Sequence, residues 1–190
     1  MELSRALYVG LVALVAVLRI VELRISRRNQ QRLAAQGAAR APDPRFPAMV
    51  AVHACVLAGA AAEVVFLKRP FFPLLAAVMG ALFLAANALR WWVIRTLGAH
   101  WNVQVMDSAR LGVVTAGPYR WVRHPNYSAV FVEMLALPLI HTAWITALAG
   151  TVAHAWVLRG RVAAEEKVLL AQPAYLAAMG TKPRFVPGLF

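Results

Sequence analysis

Tyr127–Leu158, YSAVFVEMLALPLIHTAWITALAGTVAHAWVL, is the stretch that decides the fold. It holds a single acidic residue, Glu133, and no lysine or arginine. A helix crossing a hydrocarbon core of about 30 Å needs roughly 20 residues, so this run is too long for one crossing. Pro138, which lacks an N–H, and His141 mark a turn near its middle. The run therefore reads as a tight helical hairpin over 127–140 and 142–158, its first arm short.

Working outward, apolar runs at 6–23, 47–67 and 72–94 have the length of membrane spans. The third ends in Arg90, Trp91, Trp92 and Arg95, which is interfacial anchoring. The prediction is an all-α, polytopic membrane bundle of about five transmembrane helices. It has a C-terminal helical hairpin and a cytoplasmic amphipathic tail, and forms a single domain over 1–190. Composition agrees: 61% of residues are hydrophobic, against about 45–50% in a soluble domain, and the mean hydropathy is +0.62. Ala6–Leu18 has the apolar core of a signal peptide. Arg19, Glu22 and Arg24 follow it directly, with no small-residue cleavage site, and the expectation is a retained first span.

The formal charge of +12 raises the possibility of nucleic-acid binding. The arginines, however, sit in short blocks between apolar runs, as at Arg24, Arg27, Arg28, Arg32, Arg40 and Arg45. Basic flanks beside apolar spans follow the positive-inside rule. That rule predicts the N-terminus outside and the C-terminus cytoplasmic, with no nucleic-acid partner. Cys55 is the only cysteine, so no internal disulfide and no CxxC pair exist. The histidines, His53, His100, His124, His141 and His154, show no metal-ligand spacing, and no metal is expected.

Ionisable groups inside a bilayer are rare unless paired or functional. Glu22 lies three residues after Arg19 on one helix face, which predicts an ion pair. Glu63 is near the outer end of its span and within reach of headgroups. Glu133 is two turns into its span, with Ala129, Val130, Ala136 and Leu137 at the i±3 and i±4 positions. It must face a polar cavity or a partner on another helix. Asn87 and Arg90 repeat the pattern, with interhelical glue the better reading for Asn87.

Two segments are denser in chemistry than membrane anchoring requires. One is Gly117-Pro118-Tyr119-Arg120-Trp121-Val122-Arg123-His124-Pro125-Asn126-Tyr127, just before the hairpin. The other is Arg161-Val162-Ala163-Ala164-Glu165-Glu166-Lys167-Val168-Leu169, just after it. A hairpin returns to the face it left, so the two should meet.

These residues resemble the isoprenylcysteine carboxyl methyltransferase family of integral membrane enzymes. The resemblance rests on Gly-Pro-Tyr-Arg-x-x-Arg-His-Pro-x-Tyr at 117–127, Arg-x-x-x-Glu-Glu-x-x-Leu at 161–169, Tyr175, and Pro-Arg-Phe at 183–185. It is strong over the C-terminal half and holds only in outline over the first three spans. It implies S-adenosylmethionine as methyl donor, with Arg120, Arg123, His124, Pro125, Tyr127, Glu165 and Glu166 as the cofactor-binding set. Such residues suit the donor: Arg or His pairs its carboxylate, Glu accepts from its ribose hydroxyls, and an aromatic face favours its sulfonium.

The start of the chain, Arg19-x-x-Glu22-Leu23-x-x-Ser26-x-Arg28-Asn29, is similar to a bacterial branch that methylates alkylresorcinol or alkylpyrone hydroxyls. That likeness implies a bacterial cytoplasmic membrane and an S-adenosylmethionine-dependent O-methyltransferase, acting on a lipophilic acceptor that comes sideways from the bilayer. A hydroxyl acceptor gains from a general base, for which Glu133 is the candidate, with Arg123 also placed in the catalytic set. Glu22, Asn87 and Arg90 are the candidate acceptor-binding residues. The alternatives are carboxyl methylation of a prenylated cysteine or isoprenyl thiol acid, and a membrane reductase using NADPH.

Overall fold

The computed structural model describes residues 2–108 and 111–186. The chain runs α1 (Glu2–Ala35), α2 (Phe46–Phe66), α3 (Pro73–Leu97), α4 (Pro125–Leu139), α5 (Trp144–Leu169) and α6 (Pro173–Met179). Single 3-10 turns lie at Gly98–His100 and Gly117–Arg120. Proline in the first turn opens α2, α3, α4 and α6, where its missing N–H has no intrahelical partner to lose.

Helix α1 extends twelve residues past the predicted span end at 23. No Gly or Pro interrupts Arg24–Gln36, so the helix continues out of the apolar zone until Gly37. Gly37 takes φ +82°, and the Ala38 amide donates back to the Leu33 carbonyl at 3.0 Å. This is a glycine stop of the Schellman type. The basic block from Arg24 to Arg32 thus lies on the helix. Beyond it, β1 (Ala39–Arg40) pairs antiparallel with β2 (Met106–Asp107), a short ladder with no sequence signal.

Three helical stretches, Glu2–Ala35, Phe46–Phe66 and Pro73–His100, are long and apolar enough to cross a membrane unaided. Their apolar windows are mostly uncovered by protein. Leu14, Val17, Leu82, Leu84, Leu148 and Val152 are among the large side chains left facing outward. Water would penalise that surface and lipid does not; the protein is an integral membrane protein. Cys55 also lies exposed on this surface.

The short arm α4 is the centre of the bundle. Nine of its side chains are buried, from Pro125 to Leu139. Ala136 and Leu137 pack on Val15 of α1 and Phe83 of α3, and Val130 and Met134 pack on Val56 of α2. The hairpin turn is held by polar contacts from other parts of the chain. Thr142, at φ +55°, donates its hydroxyl to the Pro70 carbonyl at 2.6 Å. The Tyr8 hydroxyl donates to the Leu137 carbonyl at 3.1 Å.

Glu63 departs from the headgroup expectation. It is buried and accepts from the amides of Ile145 (3.1 Å) and Thr146 (2.8 Å) and from the Thr146 hydroxyl (2.8 Å). A carboxylate from α2 therefore caps the N-terminus of α5, with Arg69 as its counterion at 2.7 Å.

Candidate functional site

The chain after α3 must turn back to deliver α4 into the bundle. Gly117 begins that turn at φ +55°, where a Cβ would come 2.5 Å from the Thr96 hydroxyl. Only glycine fits so close to α3 in that conformation. Pro118 and Tyr119 complete the 3-10 turn, and Pro125 starts α4. The run from Arg123 to Tyr127 is thereby fixed beside the end of α5 that lies past Leu158, outside the apolar zone.

The two chemistry-rich segments meet there. His124 Nε2 is 3.1 Å from Glu166 Oε1, so the ring N–H donates to the carboxylate. Arg123 Nη1 lies 3.4 Å from the same oxygen. Tyr127 donates its hydroxyl to Glu165 at 2.5 Å. The tail closes over them: Arg184 donates to Glu166 at 2.7 Å, and the amides of Arg123 and His124 donate to the carbonyls of Pro183 and Arg184, both at 2.9 Å.

Burial alone would raise the Glu166 carboxyl. Hydrogen bonds from His124 and Arg184 and the charge of Arg123 outweigh it and hold the group at about 2. Burial, and then the Glu165 charge, push the phenols of Tyr119 and Tyr175 well up, so both remain hydrogen-bond donors.

A cavity of about 190 Å³ opens beside this junction. Tyr119, Arg123, His124, Asn126, Tyr127, Glu165 and Tyr175 line one end of it, and His53, Arg90 and His154 also line it. Several buried polar atoms in its wall have no hydrogen-bond partner: Arg123 Nε, Asn126 Oδ1, Asn102 Oδ1 and Arg161 Nε. Unpaired buried polar atoms are rare in a finished interior and mark places where a polar ligand belongs.

A second cavity of about 610 Å³ shares Tyr127 and Leu158 with the first. It lies between α4 and α5, with Phe131, Val132, Ala155 and Val162 in its wall and Arg159 and Arg184 among its polar residues.

Arg19, Glu22, Arg90 and Glu133, with Asn87, form one cluster inside the bundle. Glu22 pairs with Arg19 at 2.9 Å and with Arg90 at 2.5 Å. Glu133 pairs with Arg19 at 3.5 Å and Arg90 at 3.8 Å. Asn87 accepts from Arg19 at 3.2 Å and donates to the Phe83 carbonyl at 2.9 Å. Two carboxylates thus balance two guanidiniums across α1, α3 and α4. Of these five residues only Arg90 reaches the cavity wall. Glu133 has its expected partners on other helices but does not line the cavity.

The remaining predicted positions divide. Arg123, His124, Tyr127 and Glu165 line the cavity. Glu166 and Pro125 support it from behind, as clamp and helix start. Arg120 is exposed and lies over the Trp121 ring at 5.9 Å. Sequence reasoning passed over Asn126, Arg161, His53, His154 and the 101–106 loop. Arg161 carried a signal, being the first residue of the motif at 161–169. It is buried, donates to Asp43 at 2.5 Å and to the Val103 carbonyl at 2.8 Å, and lines the cavity.

The sequence model of the isoprenylcysteine carboxyl methyltransferase (ICMT) family matches residues 78–171, from α3 through both chemistry-rich segments. The uncharacterized protein YpbQ of Bacillus subtilis (strain 168) is 32% identical over 160 residues, covering 84% of this chain and 94% of its own. An uncharacterized protein of Haemophilus influenzae is 25% identical over 158 residues, covering 83% of this chain and 91% of its own.

The bundle is also similar to the solved structure of the eukaryotic intramembrane Ras methyltransferase ICMT, with a TM-score of 0.58 and 24% identity. That match covers 76% of this chain and 55% of the eukaryotic one, so the present chain spans little more than half its length. A small membrane bundle of the methyltransferase class is what the fold and the matched segments define. The chain belongs to the isoprenylcysteine carboxyl methyltransferase family, whose methyltransferases use S-adenosylmethionine.

Proposed function

We propose that this protein transfers a methyl group from S-adenosylmethionine to an oxygen of a long-chain lipidic acceptor, an alkylresorcinol or alkylpyrone. The observation that carries the reading is the junction of the two cavities. Polar groups of the family motif line one, and a largely apolar groove between α4 and α5 shares Tyr127 and Leu158 with it.

The residues present fit the donor. Its carboxylate matches Arg123, whose Nε lacks a partner. Its amine and hydroxyls match Asn126 and Glu165, and the rings of Tyr119, Tyr127 and Tyr175 suit a sulfonium. Bound there, the donor supplies an electrophilic methyl group and a good leaving group. The chain's own work is then to orient and to exclude water. Arg123 and Glu165 fix the donor's polar ends. Glu166 locks His124, Arg123 and Arg184 and so holds the wall, and Pro125 sets where α4 begins. Glu133 and Glu22 act through Arg90, which they hold in the cavity wall, and Asn87 steadies the cluster through Arg19.

The groove would take the acceptor's tail from the bilayer. A bacterial cytoplasmic membrane, with the N-terminus outside and the Glu165 end of the cavity at the cytoplasmic face, suits a soluble donor and a membrane-borne acceptor. Carboxyl methylation of an isoprenyl thiol acid uses the same donor site and is the second reading, favoured by the family name. Family membership favours a methyl donor over the nicotinamide of a reductase.

The test is incubation of detergent-purified protein with methyl-labelled S-adenosylmethionine and a panel of alkylresorcinols, alkylpyrones and farnesyl thiol acids, read by mass spectrometry. A labelled alkylresorcinol or alkylpyrone ether is the expected product. Label in the thiol acid alone would establish the second reading, and label in none would contradict both.

A further inference from the structure

Donor binding as proposed occupies the end of the cavity near Glu165. Glu165 lies eleven positions beyond His154 along α5, a rise of about 16 Å. The region around His154 is built from three basic side chains on three helices: His53 of α2, Arg90 of α3 and His154 of α5. The two imidazoles lie edge to face, with ring centroids 5.4 Å apart and planes at 82°.

Their hydrogen bonding defines what they can do. His53 Nδ1 is 2.8 Å from the Met49 carbonyl. A carbonyl oxygen only accepts, so Nδ1 carries the proton and Nε2 keeps its lone pair. His154 is buried, and neither of its ring nitrogens has a hydrogen-bond partner. Arg90 Nη1 is likewise without a hydrogen bond, its ion-pair partner Glu133 lying 3.8 Å away. The cavity is also lined by Arg161, further along α5, and by Arg123 and Glu165 at the donor end. A lone pair, an unpaired imidazole and an unpaired guanidinium N–H share the wall of one cavity. A carboxylate acceptor arrives ionised and needs only the cation. A hydroxyl acceptor needs a base as well.

We propose that His53 is the general base for the acceptor hydroxyl, that Arg90 holds the resulting oxyanion, and that His154 hydrogen-bonds a second acceptor oxygen. This defines the acceptor class as a long-chain phenol or enol with two ring oxygens rather than a carboxylic acid. It rests on the methyltransferase reading above for the placement of an acceptor in this cavity. The step balances. The acceptor O–H breaks and its proton passes to His53 Nε2, while the oxygen forms the bond to the methyl carbon. The carbon–sulfur bond of the donor breaks with its electron pair going to sulfur. The proton then leaves His53 for water.

The experiment uses the full chain in detergent, without donor, titrated with a 4-nitrophenol bearing a long alkyl chain at mildly acidic pH. Free probe is then mostly neutral, and nitrophenolate has its own visible band. Wild type should bind the probe saturably as nitrophenolate, and His53→Gln should bind it as the neutral phenol. With donor added, His53→Gln should lower kcat for a long-chain phenol by about 100-fold or more.

Probe that stays neutral on wild type, or fails to bind, overturns the proposal, and this needs no variant to fold. An undiminished nitrophenolate band on His53→Gln overturns it too. Calorimetry with S-adenosylmethionine on the same wild-type sample keeps the two readings apart. A nitrophenolate band without donor binding would uphold the base and refute the methyltransferase.

Discussion

Glu166 is not in the cavity lining, yet it holds the residues that are. It accepts from His124 and Arg184 and lies beside Arg123, tying α5 to the start of α4 and to the tail. Its carboxyl ionises at about 2 rather than at its ordinary 4.5. A carboxyl held low in the folded state contributes stability that is complete above its ordinary value and is lost as pH falls toward the folded one. Tail docking should therefore hold at neutral pH and weaken as pH falls from about 4.5 toward 2. Hydrogen exchange at the amides of Arg123 and His124 measures this, and no loss of protection over that window would contradict it. The four-charge cluster makes a different prediction. Removing one carboxylate leaves two buried guanidiniums with one partner, which typically costs about 3–5 kcal/mol. Glu133→Ala should lower thermal stability in detergent accordingly, and an unchanged melting temperature would show that the ion pairs are not formed.

Among the elements, the hairpin was the most legible. Pro138 and His141 placed its turn, and the arms predicted at 127–140 and 142–158 match the turn between α4 and α5. The first part of the predicted amphipathic tail, from Arg159 to Leu169, is the continuation of α5. The extent of α1 was not legible from hydropathy, because the helix outlasts the apolar run; only the absence of a breaker before Gly37 recorded it. The Glu63 cap was hidden for a different reason. Its partners are amides 82 and 83 residues away, and no local spacing reports such a contact. Glu63→Gln keeps the shape but gives up the charge at the helix N-terminus, and should destabilise the bundle by about 1–3 kcal/mol. Thermal unfolding monitored by circular dichroism checks this, with an unchanged midpoint as the contrary result.

At the scale of the molecule, two segments separated by the whole hairpin come together as wall and clamp of one cavity. Motif residues Arg123, His124, Tyr127 and Glu165 could be read from the sequence because their types and order are those of the family. At the other end of the cavity only Arg90 could, as a candidate acceptor-binding residue. His53 and His154 come from two further helices, and each alone reads as an isolated polar residue in an apolar run. Only packing shows that they share a space. Charge spacing likewise predicted the Arg19–Glu22 pair but not its extension to Arg90 and Glu133 on two other helices. The most direct test of the central claim is calorimetric titration of S-adenosylmethionine into the purified full chain, beside Arg123→Ala and Glu165→Ala. Wild type should bind one equivalent, and each variant should bind at least tenfold more weakly, about 1.4 kcal/mol. Binding of equal affinity in all three proteins, or no binding to wild type, would contradict the account.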